Sequence, residues 1–258
     1  MNAVNPSVAT GGDAAHDAPR PRRERLRAAT EAEIVETARV LLLEGGPDAL
    51  TLREVGRRMG MTASALYRYV EGHAGLVDRL TAAFFAEATE AMRAELSAGG
   101  PRTDDGPAGP GGEEQVARNL VAVATAFRRW STSHPAEFAL MYGPGEGRDP
   151  GCVRAAAAGE QFGRVFLDLF VSGLTDVHAP PTGCADVFAG LPAPLDSLFA
   201  RSWARLLGLV MFEVAGQYEA MGLDADAVFT AEAASCAEMV LQGRRQVQQH
   251  GSGPLPAP

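Results

Sequence analysis

The segment TLREVGRRMGMTASALYRYV, residues 51–70, has the pattern of two short helices joined by a glycine turn. Thr51 and Glu54 have the spacing of a capping box, in which the threonine hydroxyl accepts a backbone N–H and the glutamate bonds back. Gly60 can adopt the left-handed conformation that ends a helix, and Thr62 is then placed to cap a second helix. Two helix starts so close together require a sharp turn, which predicts a helix-turn-helix.

The second helix is predicted over residues 63–70, with an apolar side and a polar side. Leu66 and Val70 are four residues apart and share the side that packs on the first helix. The polar side has small residues first and longer ones after, as expected of a helix that reads base edges with its N-terminal part. Arg68 is suited to a guanine edge, and its polar neighbours to phosphates or bases. The DNA contacts predicted here are Thr62, Ala63, Ser64, Tyr67, Arg68 and Tyr69.

A short helix with two tyrosines and one arginine is, taken alone, more often an ordinary surface helix. The two successive caps, together with the basic residues of the preceding helix, favour a DNA-binding unit. Thr51, Arg53 and Arg57 are therefore added to the predicted DNA contacts, with Arg57 assigned to phosphate.

Residues from about Glu31 to Leu80 resemble the DNA-binding domain of the tetracycline-repressor (TetR) family of bacterial regulators. The most specific piece is the run Leu66-Tyr67-Arg68-Tyr69-Val70 straight after the glycine turn. The resemblance implies a three-helix head on a larger all-helical, dimeric, ligand-sensing body. It also implies a phosphate contact where the fourth helix opens. The family commonly has a lysine there, whereas this sequence has His73, and a neutral histidine is a weaker phosphate partner.

A weaker resemblance lies in the body. It is similar to a subfamily whose C-terminal domain is named for Trp-His-Gly residues. The positions that carry this similarity are Trp130, His134-Pro135, Phe138, Met141-Tyr142 and Trp203…Gly208.

Charge is distributed unevenly along the 258 residues, whose formal net charge is −9. Residues 19–80 hold 11 Arg against 9 Asp or Glu, whereas the residues from 81 onward hold 12 Arg against 21 Asp or Glu. An acidic body is repelled by a duplex, so docking by the head alone is favoured. The overall negative charge argues against a non-specific nucleic-acid coat.

The domain organisation follows from composition and helix signals. Five arginines lie between Arg20 and Arg27. They could form an arm that follows the phosphates of the DNA or enters its minor groove. Alternatively, they form a solvated lead-in to the first helix, which Thr30 and Glu33 are predicted to start as a capping box. The predicted units are a disordered, basic N-terminal arm (1–26), a helix-turn-helix domain (27–75), a helical regulatory and dimerisation domain (76–247) with a flexible linker (97–112), and a disordered tail (248–258).

Three of the helices predicted for the body concern its connection to the head and its proposed interface. One from about His73 to Leu96 is long enough to connect the head with the body. Another is predicted from Leu195 to Met221, and the last from Asp226 to Gln246. Apolar residues surround much of the helix predicted from Leu195 to Met221. This favours a dimer interface of four helices, to which each chain contributes its last two helices. The alternative is a buried central helix of a monomer. The proposed interface residues are Trp203, Leu206, Val210, Phe229 and Met239.

A small-molecule site is predicted from the bulky side chains of the body. Ligand pockets are mostly apolar and contain a few polar anchors. The alternative is that these residues are simply core, because sequence does not separate a pocket from a core. The predicted ligand-binding residues are Phe84, Phe127, Trp130, Phe138, Tyr142, Phe162, Phe166 and His178.

Other functional classes find little support in the sequence. The five histidines stand at no metal-ligand spacing, and no nucleophile elbow or paired catalytic carboxylates occur, so neither an enzyme, a metal nor a cofactor is expected. Three scattered cysteines and the lack of a signal peptide or long apolar run indicate a cytoplasmic protein without membrane spans.

The function expected from the sequence is a homodimeric, all-α repressor that a small apolar effector releases from operator DNA. The alternatives are a regulator controlled by a protein partner without any small-molecule effector, and a helical enzyme or carrier with a vestigial head.

Overall fold

The computed structural model describes residues 22–99, 110–143, 153–172, 174 and 195–250, and every element within these ranges is helical. The expected all-α fold is therefore confirmed. A short 3-10 helix, Pro47–Ala49, lies between the first two α-helices. The α-helices are α1 (Arg22–Gly45), α2 (Leu52–Met59), α3 (Ala63–Leu66), α4 (Gly72–Ala98), α5 (Pro110–Ser133), α6 (Pro135–Tyr142), α7 (Val153–Val171), α8 (Leu195–Val214), α9 (Gln217–Met221) and α10 (Ala225–His250).

The head is formed by α1, α2, α3 and the first turns of α4. Its core takes one apolar side from each helix, as the helical periodicity of the sequence predicts. Leu50 and Val55, which flank the Thr51 cap, are both buried, and so are Leu66 and Val70 at the end of the second predicted helix. The remaining core residues of the head are Ile34, Ala38, Leu41, Leu42 and Leu76.

α1 begins earlier than the sequence predicts, at Arg22 rather than at Thr30. The hydroxyl of Thr30 donates to the carbonyl oxygen of Leu26 at 3.0 Å. A threonine inside a helix can satisfy its hydroxyl on the carbonyl four residues earlier, so the spacing Thr30-x-x-Glu33 does not require a helix start. The predicted N-terminal arm therefore loses residues 22–26 to α1, while residues 1–21 lie outside the described ranges.

α3 is shorter than predicted and ends at Leu66. The next backbone N–H groups bond to carbonyls three residues earlier, from Arg68 to Ala65 at 3.3 Å and from Tyr69 to Leu66 at 2.9 Å. Such bonds tighten the last turn of a helix. The polypeptide therefore keeps turning through residues 67–70 although the regular α-helix has ended.

α4 is 27 residues long and connects the head with the body. Leu76 and Leu80 are fully buried near its start, and Phe84, Ala88 and Met92 are fully buried farther along. These positions recur every four residues and form one continuous apolar stripe. α4 packs most extensively against α7 and α5 of the body, and it also contacts α1 of the head. The sequence-based expectation of one long connecting helix is therefore met.

The helix predicted from Leu195 to Met221 is interrupted. α8 ends at Val214, and Gly216 then adopts a left-handed conformation with φ 70° before α9 begins. Glycine adopts this conformation without the steric penalty of a Cβ atom. α10 begins at Ala225, one residue before the predicted start at Asp226, and the Asp224 carboxylate accepts the N–H of Asp226 at 2.9 Å.

The predicted linker lies mostly outside the described residues. Its ends belong to helices instead, since residues 97–98 continue α4 and residues 110–112 open α5. Residues 248–250 of the predicted tail likewise continue α10. No helix in the described part of the chain is both long and apolar enough to cross a membrane.

Candidate nucleic-acid interface and regulatory body

The cap of α2 forms only half of the predicted capping box. The Thr51 hydroxyl accepts the N–H of Glu54 at 3.2 Å. The return bond is missing, because the N–H of Thr51 donates to the carbonyl of Ala49 at 2.9 Å. The Glu54 carboxylate instead accepts from the Arg57 guanidinium, at 3.0 and 3.1 Å from Nε. An ion pair one turn along the helix has therefore replaced the second half of the box.

The turn between α2 and α3 uses one glycine and one threonine, as the sequence predicts. Gly60 ends α2 at φ 64° and ψ 24°, in the left-handed region. The Thr62 hydroxyl then accepts the N–H of Ala65 at 3.2 Å and caps α3. The N–H of Met61 donates back to the carbonyl of Gly56 at 2.8 Å. These local bonds determine the angle at which α3 leaves α2.

The side of α3 that faces away from the head core is open to solvent. Tyr67 is 60% exposed, which is high for so large an aromatic side chain. Tyr69 is half-buried, and the Arg27 guanidinium lies over its ring at 5.9 Å from the centroid. Tyr69 is therefore partly occupied in packing α1 against α3. The remaining predicted contacts on this side are all exposed: Thr62, Ala63, Ser64, Tyr67 and Arg68.

The arginines of the head differ in their partners. Arg57 is paired with Glu54, and Arg58 with Glu44. The hydrogen bond from Arg57 is the main cause that lowers the pKa of Glu54 below its usual value. Arg53 and Arg68 have no carboxylate partner within the described ranges. Of the predicted contacts, Arg53 and Arg68 can therefore bind an anion directly. Arg57 must first give up its ion pair with Glu54.

The other predicted DNA contacts outside α3 are also at the surface. Thr51 and Arg53 are exposed at the start of α2, and His73 is exposed in the first turn of α4. Backbone N–H groups in the first turn of a helix attract anions.

Five of the predicted ligand-binding residues form one aromatic cluster in the body. Phe127 lies 5.1 Å from Phe162 and 6.2 Å from Phe138, measured between ring centroids. Tyr142 lies 5.1 Å from Phe138, and Phe166 lies 6.1 Å from Phe162. Most of these rings meet edge to face or tilted, which is a favourable packing of aromatic side chains.

Two further residues join this cluster that the sequence did not assign to it. Trp203 of α8 lies 5.5 Å from both Phe162 and Phe166. Phe85 of α4 lies 5.7 Å from Phe162. The sequence singled out Trp203 only as a position of the subfamily resemblance and as a proposed interface residue. The side of a helix that faces inward is set by the packing of distant helices, so the sequence did not place Trp203 in the cluster.

The remaining predicted ligand-binding residues do not belong to the cluster. Phe84 is buried under the Arg39 guanidinium, 4.8 Å from the ring centroid. Trp130 stacks on His134 at 4.9 Å. His178 lies outside the described residues.

A small cavity lies beside the cluster, between α5, α7, α8 and α10. Its volume is about 20 Å³, and Phe166, Phe170, Trp203 and Cys236 are among its lining residues. Such a volume holds about one water molecule. The aromatic cluster is therefore closely packed in this conformation.

Most of the predicted dimer-interface residues are used within the chain itself. Val210 and Phe229 are at most 2% exposed, and Leu206 is 7% exposed. Trp203 packs in the aromatic cluster, and Met239 is half-buried beside Arg205. The prediction therefore placed the interface on the inner side of α8 and α10. Any self-association through these helices must use their exposed residues.

A buried carboxylate of α4 caps α7, and sequence reasoning missed it. Asp78 is 3% exposed, and its side chain accepts the backbone N–H of Ala155 at 2.8 Å and that of Arg154 at 3.3 Å. The Arg154 guanidinium adds a longer contact at 3.4 Å. These N–H groups belong to the first turn of α7 and have no acceptor within that helix. Asp78 therefore joins the helix that leaves the head to one that carries the aromatic cluster.

A buried cation joins α10 to the other end of α7. Arg244 is 1% exposed, and its guanidinium donates to the carbonyl oxygens of Leu169 at 3.1 Å, Phe170 at 2.7 Å and Ser172 at 2.5 Å. Burial lowers the pKa of this arginine below its usual value. Its partners are carbonyls at the end of α7, where the helix dipole favours a positive charge.

Known proteins match both parts of the chain. Residues 34–80 match the family model described as "Bacterial regulatory proteins, tetR family", and residues 120–236 match "Tetracyclin repressor-like, C-terminal domain". The HTH-type transcriptional regulators Rv1816 of Mycobacterium tuberculosis (strain ATCC 25618 / H37Rv) and Mb1846 of Mycobacterium bovis are each 31% identical over 231 residues. The alignment spans 82% of this chain and 92% of each relative.

Solved structures agree with these matches. The regulatory protein SCO4313 is 28% identical, with a TM-score of 0.60 over 84% of this chain and 98% of that chain. A protein from Rhodococcus sp. RHA1 shares the fold at 17% identity, with a TM-score of 0.57 over 83% and 94% of the two chains. The match to the curated relatives spans most of both proteins, and the helix-turn-helix matches a model of its own. The chain therefore belongs to the TetR (tetracycline-repressor) family of bacterial transcriptional regulators.

Proposed function

We propose that this protein is a homodimeric repressor that binds a near-palindromic operator through Thr51 and the exposed side of α3. A small apolar molecule that enters the body would release it. The observation that carries the proposal is the exposed side of α3 and of the turn after it, which bears Ser64, Tyr67 and Arg68, whereas Leu66 and Val70 on the opposite side are fully packed. A helix held in this way can enter the major groove without unfolding the head.

The residue types on this surface fit base reading. Thr62, Ala63 and Ser64 are small and lead the helix, so the backbone can approach the base edges closely. Arg68 follows with a guanidinium that can donate two parallel hydrogen bonds to guanine. A regulator of this kind binds a palindromic site with two heads, one for each half-site.

Operator selection with the full-length protein and fragments of its genome tests DNA recognition. Arg68→Ala should then lower the preference for the selected operator over a scrambled duplex by about 5- to 150-fold, or roughly 1–3 kcal/mol, because a base contact is lost. Fluorescence anisotropy at fixed salt measures both affinities. Arg57→Ala should instead lower the affinity for both duplexes to a similar degree, because a phosphate contact carries no sequence information.

A suitable control is Arg118→Ala, which removes the same charge from an exposed position on α5. It should leave the operator preference unchanged. If Arg68→Ala prefers the operator over the scrambled duplex as strongly as the wild type does, Arg68 does not contact bases.

The proposed dimer rests on exposed apolar residues at the end of α8 and around α9. Met221 is 61% exposed and Leu223 46%, and Met211 and Phe212 are exposed by 43% and 39%. Exposed apolar residues close together in sequence favour a protein contact. The second chain is the expected partner, since an isologous contact brings two identical heads together.

The double variant Met221→Glu/Leu223→Glu should weaken dimerisation on the order of 100-fold, because two carboxylates would lose water in the interface. Sedimentation equilibrium over a range of protein concentrations measures this. Leu43→Glu is the control, since Leu43 is 56% exposed on α1, away from α8 and α9. A double variant that dimerises like the wild type would place the interface elsewhere, and a monomeric wild type would contradict the homodimer.

The proposed release depends on the aromatic cluster and on the connection between α7 and α4. Phe162 and Phe166 of α7 pack against Phe127 of α5 and Trp203 of α8. A ligand that enters between these helices must therefore displace α7. Asp78 holds the first turn of α7 to α4, so such a displacement would be passed to the head. The ligand shifts the spacing of two heads only if it binds one spacing more tightly than the other.

One observation favours a second candidate, a DNA-binding regulator without a small-molecule effector. The cavity beside the cluster holds only about 20 Å³, far less than ligand pockets usually have. A screen of apolar and aromatic compounds for release from the selected operator separates the two. Release at saturating compound supports the first candidate, and the lack of any active compound together with release by a protein partner supports the second.

A further inference from the structure

A groove lined with arginines lies between the first turns of α1 and the end of α3. Its volume is about 590 Å³, and Arg22, Arg23, Arg27 and Arg68 all line it, together with Thr30 and Tyr69. The first three belong to the part of α1 that precedes Thr30. Arg68 lies in the turn directly after α3, which continues the proposed base-reading side. The groove therefore continues that side toward the N-terminal part of the chain.

The charge of the groove is only partly balanced. Arg27 donates to Glu31 at 3.0 Å and also lies over the ring of Tyr69. Arg22, Arg23 and Arg68 have no carboxylate partner in the part of the chain that the structure describes. Glu24 is the acidic residue of the first turn of α1, and it does not line the groove. Like charges held in one groove repel each other, so an anion bound between them would be favoured.

The position of the groove identifies the anion. Arg68 would contact a base of the duplex. The phosphates on both sides of that base would then lie beside the groove. Double-stranded DNA carries about one negative charge per 1.7 Å of its axis, so a basic surface that adjoins the reading helix would face phosphates once that helix lies on a duplex. Arginines held on a helix also lose less conformational entropy on binding than arginines on a disordered arm.

We propose that the N-terminal extension of α1 is a second DNA contact, in which Arg22 and Arg23 bind the sugar–phosphate backbone beside the half-site read by α3. The inference rests on the proposed function, because it requires that α3 lie on a duplex. It extends the footprint of each head beyond the base pairs that α3 can reach. It also assigns to these arginines a contribution to affinity and none to sequence preference.

The test uses the full-length double variant Arg22→Gln/Arg23→Gln, in which glutamine preserves helix propensity. Its affinities for the selected operator and for a scrambled duplex are measured by fluorescence anisotropy from about 50 to 200 mM salt. Each lost phosphate contact should make the slope of log K against log salt shallower by about 0.9, so about 2 for each head. Affinity should fall by roughly 10- to 100-fold on both duplexes, while their ratio stays the same.

The matched control is Arg25→Gln/Arg118→Gln. It removes the same charge from two exposed arginines, one on the same stretch of α1 and one on the body, and neither lines the groove. This control should keep the wild-type slope. A shallower slope confined to the Arg22/Arg23 variant supports the second contact, whereas equal losses in both variants would overturn it, because general electrostatic attraction then accounts for them.

The two levels of the proposal fail in different ways. If the wild type binds its operator specifically and the Arg22/Arg23 variant has an unchanged slope, the second contact is wrong and the proposed function stands. If the wild type prefers no duplex sequence at all, the proposed function fails first. Circular dichroism of both variants checks that the helical content is retained.

Discussion

Replacing Arg244 with alanine is expected to destabilise the folded protein by roughly 3–5 kcal/mol. The wild-type guanidinium lies 1% exposed between α7 and α10 and donates to three backbone carbonyls at the end of α7. Alanine would leave these carbonyls without a donor in a region from which water is largely excluded. It would also open a cavity with nearly the volume of the lost arginine side chain. Both effects favour the unfolded state.

Arg245→Ala is the matched control, because it removes the next residue of the same helix. Arg245 is exposed and bonds to Glu113 at 2.7 Å, and surface ion pairs contribute about 1 kcal/mol or less. Urea unfolding at one fixed protein concentration gives both free energies. Equal losses in the two variants would show that the carbonyl bonds of Arg244 add little. If Arg244→Ala does not fold, Arg244→Lys retains one charged donor and should fall between it and the wild type.

Replacing Asp78 with alanine is expected to cost about 2–4 kcal/mol of folding free energy. The Asp78 carboxylate satisfies the N–H groups of Arg154 and Ala155 from a neighbouring helix, and no water reaches them easily because Asp78 is 3% exposed. Asp78→Asn keeps one acceptor oxygen in almost the same volume, so it should cost less than alanine. The unfolding temperature should therefore fall in the order wild type, Asp78→Asn, Asp78→Ala. This order tests the contribution of the carboxylate hydrogen bonds themselves.

Glu90→Ala controls for the loss of one acidic residue from the same helix, since Glu90 is exposed on α4. It should change the free energy of unfolding by less than about 0.5 kcal/mol. If Asp78→Ala proves as stable as Glu90→Ala, the bonds between α4 and α7 do not hold the body together. Under the proposed mechanism, Asp78→Asn should also reduce the change in operator affinity that a releasing compound produces, because displacement of α7 would no longer pull α4.

The head could be predicted from the sequence because its signals are local. Thr51, Gly60 and Thr62 each act on backbone groups within three or four residues, and the structure places all three as expected. The capping residue Thr30 was assigned wrongly for an equally local reason. Its hydroxyl had a second acceptor available on the preceding turn, and the spacing alone does not say which acceptor is used.

The body could be predicted only as a set of helices. Trp203 and Val210 were assigned to a dimer surface because apolar residues surround α8, yet both are packed within the chain. Helical periodicity shows that a side is apolar, and it does not show which helix covers that side. The same limit applies to the aromatic residues, which sequence alone does not divide between a pocket and a core.

The sequence by itself determined that this protein is helical, that residues 51–70 form a helix-turn-helix, and that its polar side carries Arg68. Local capping, glycine conformation and helical periodicity are sufficient for those conclusions. Only the tertiary structure decided that Asp78 caps α7, that Arg244 closes its other end, and that Arg22 and Arg68 line one groove. These arrangements join residues that are far apart in the chain, and their partners are set by how the helices pack rather than by any neighbouring residue.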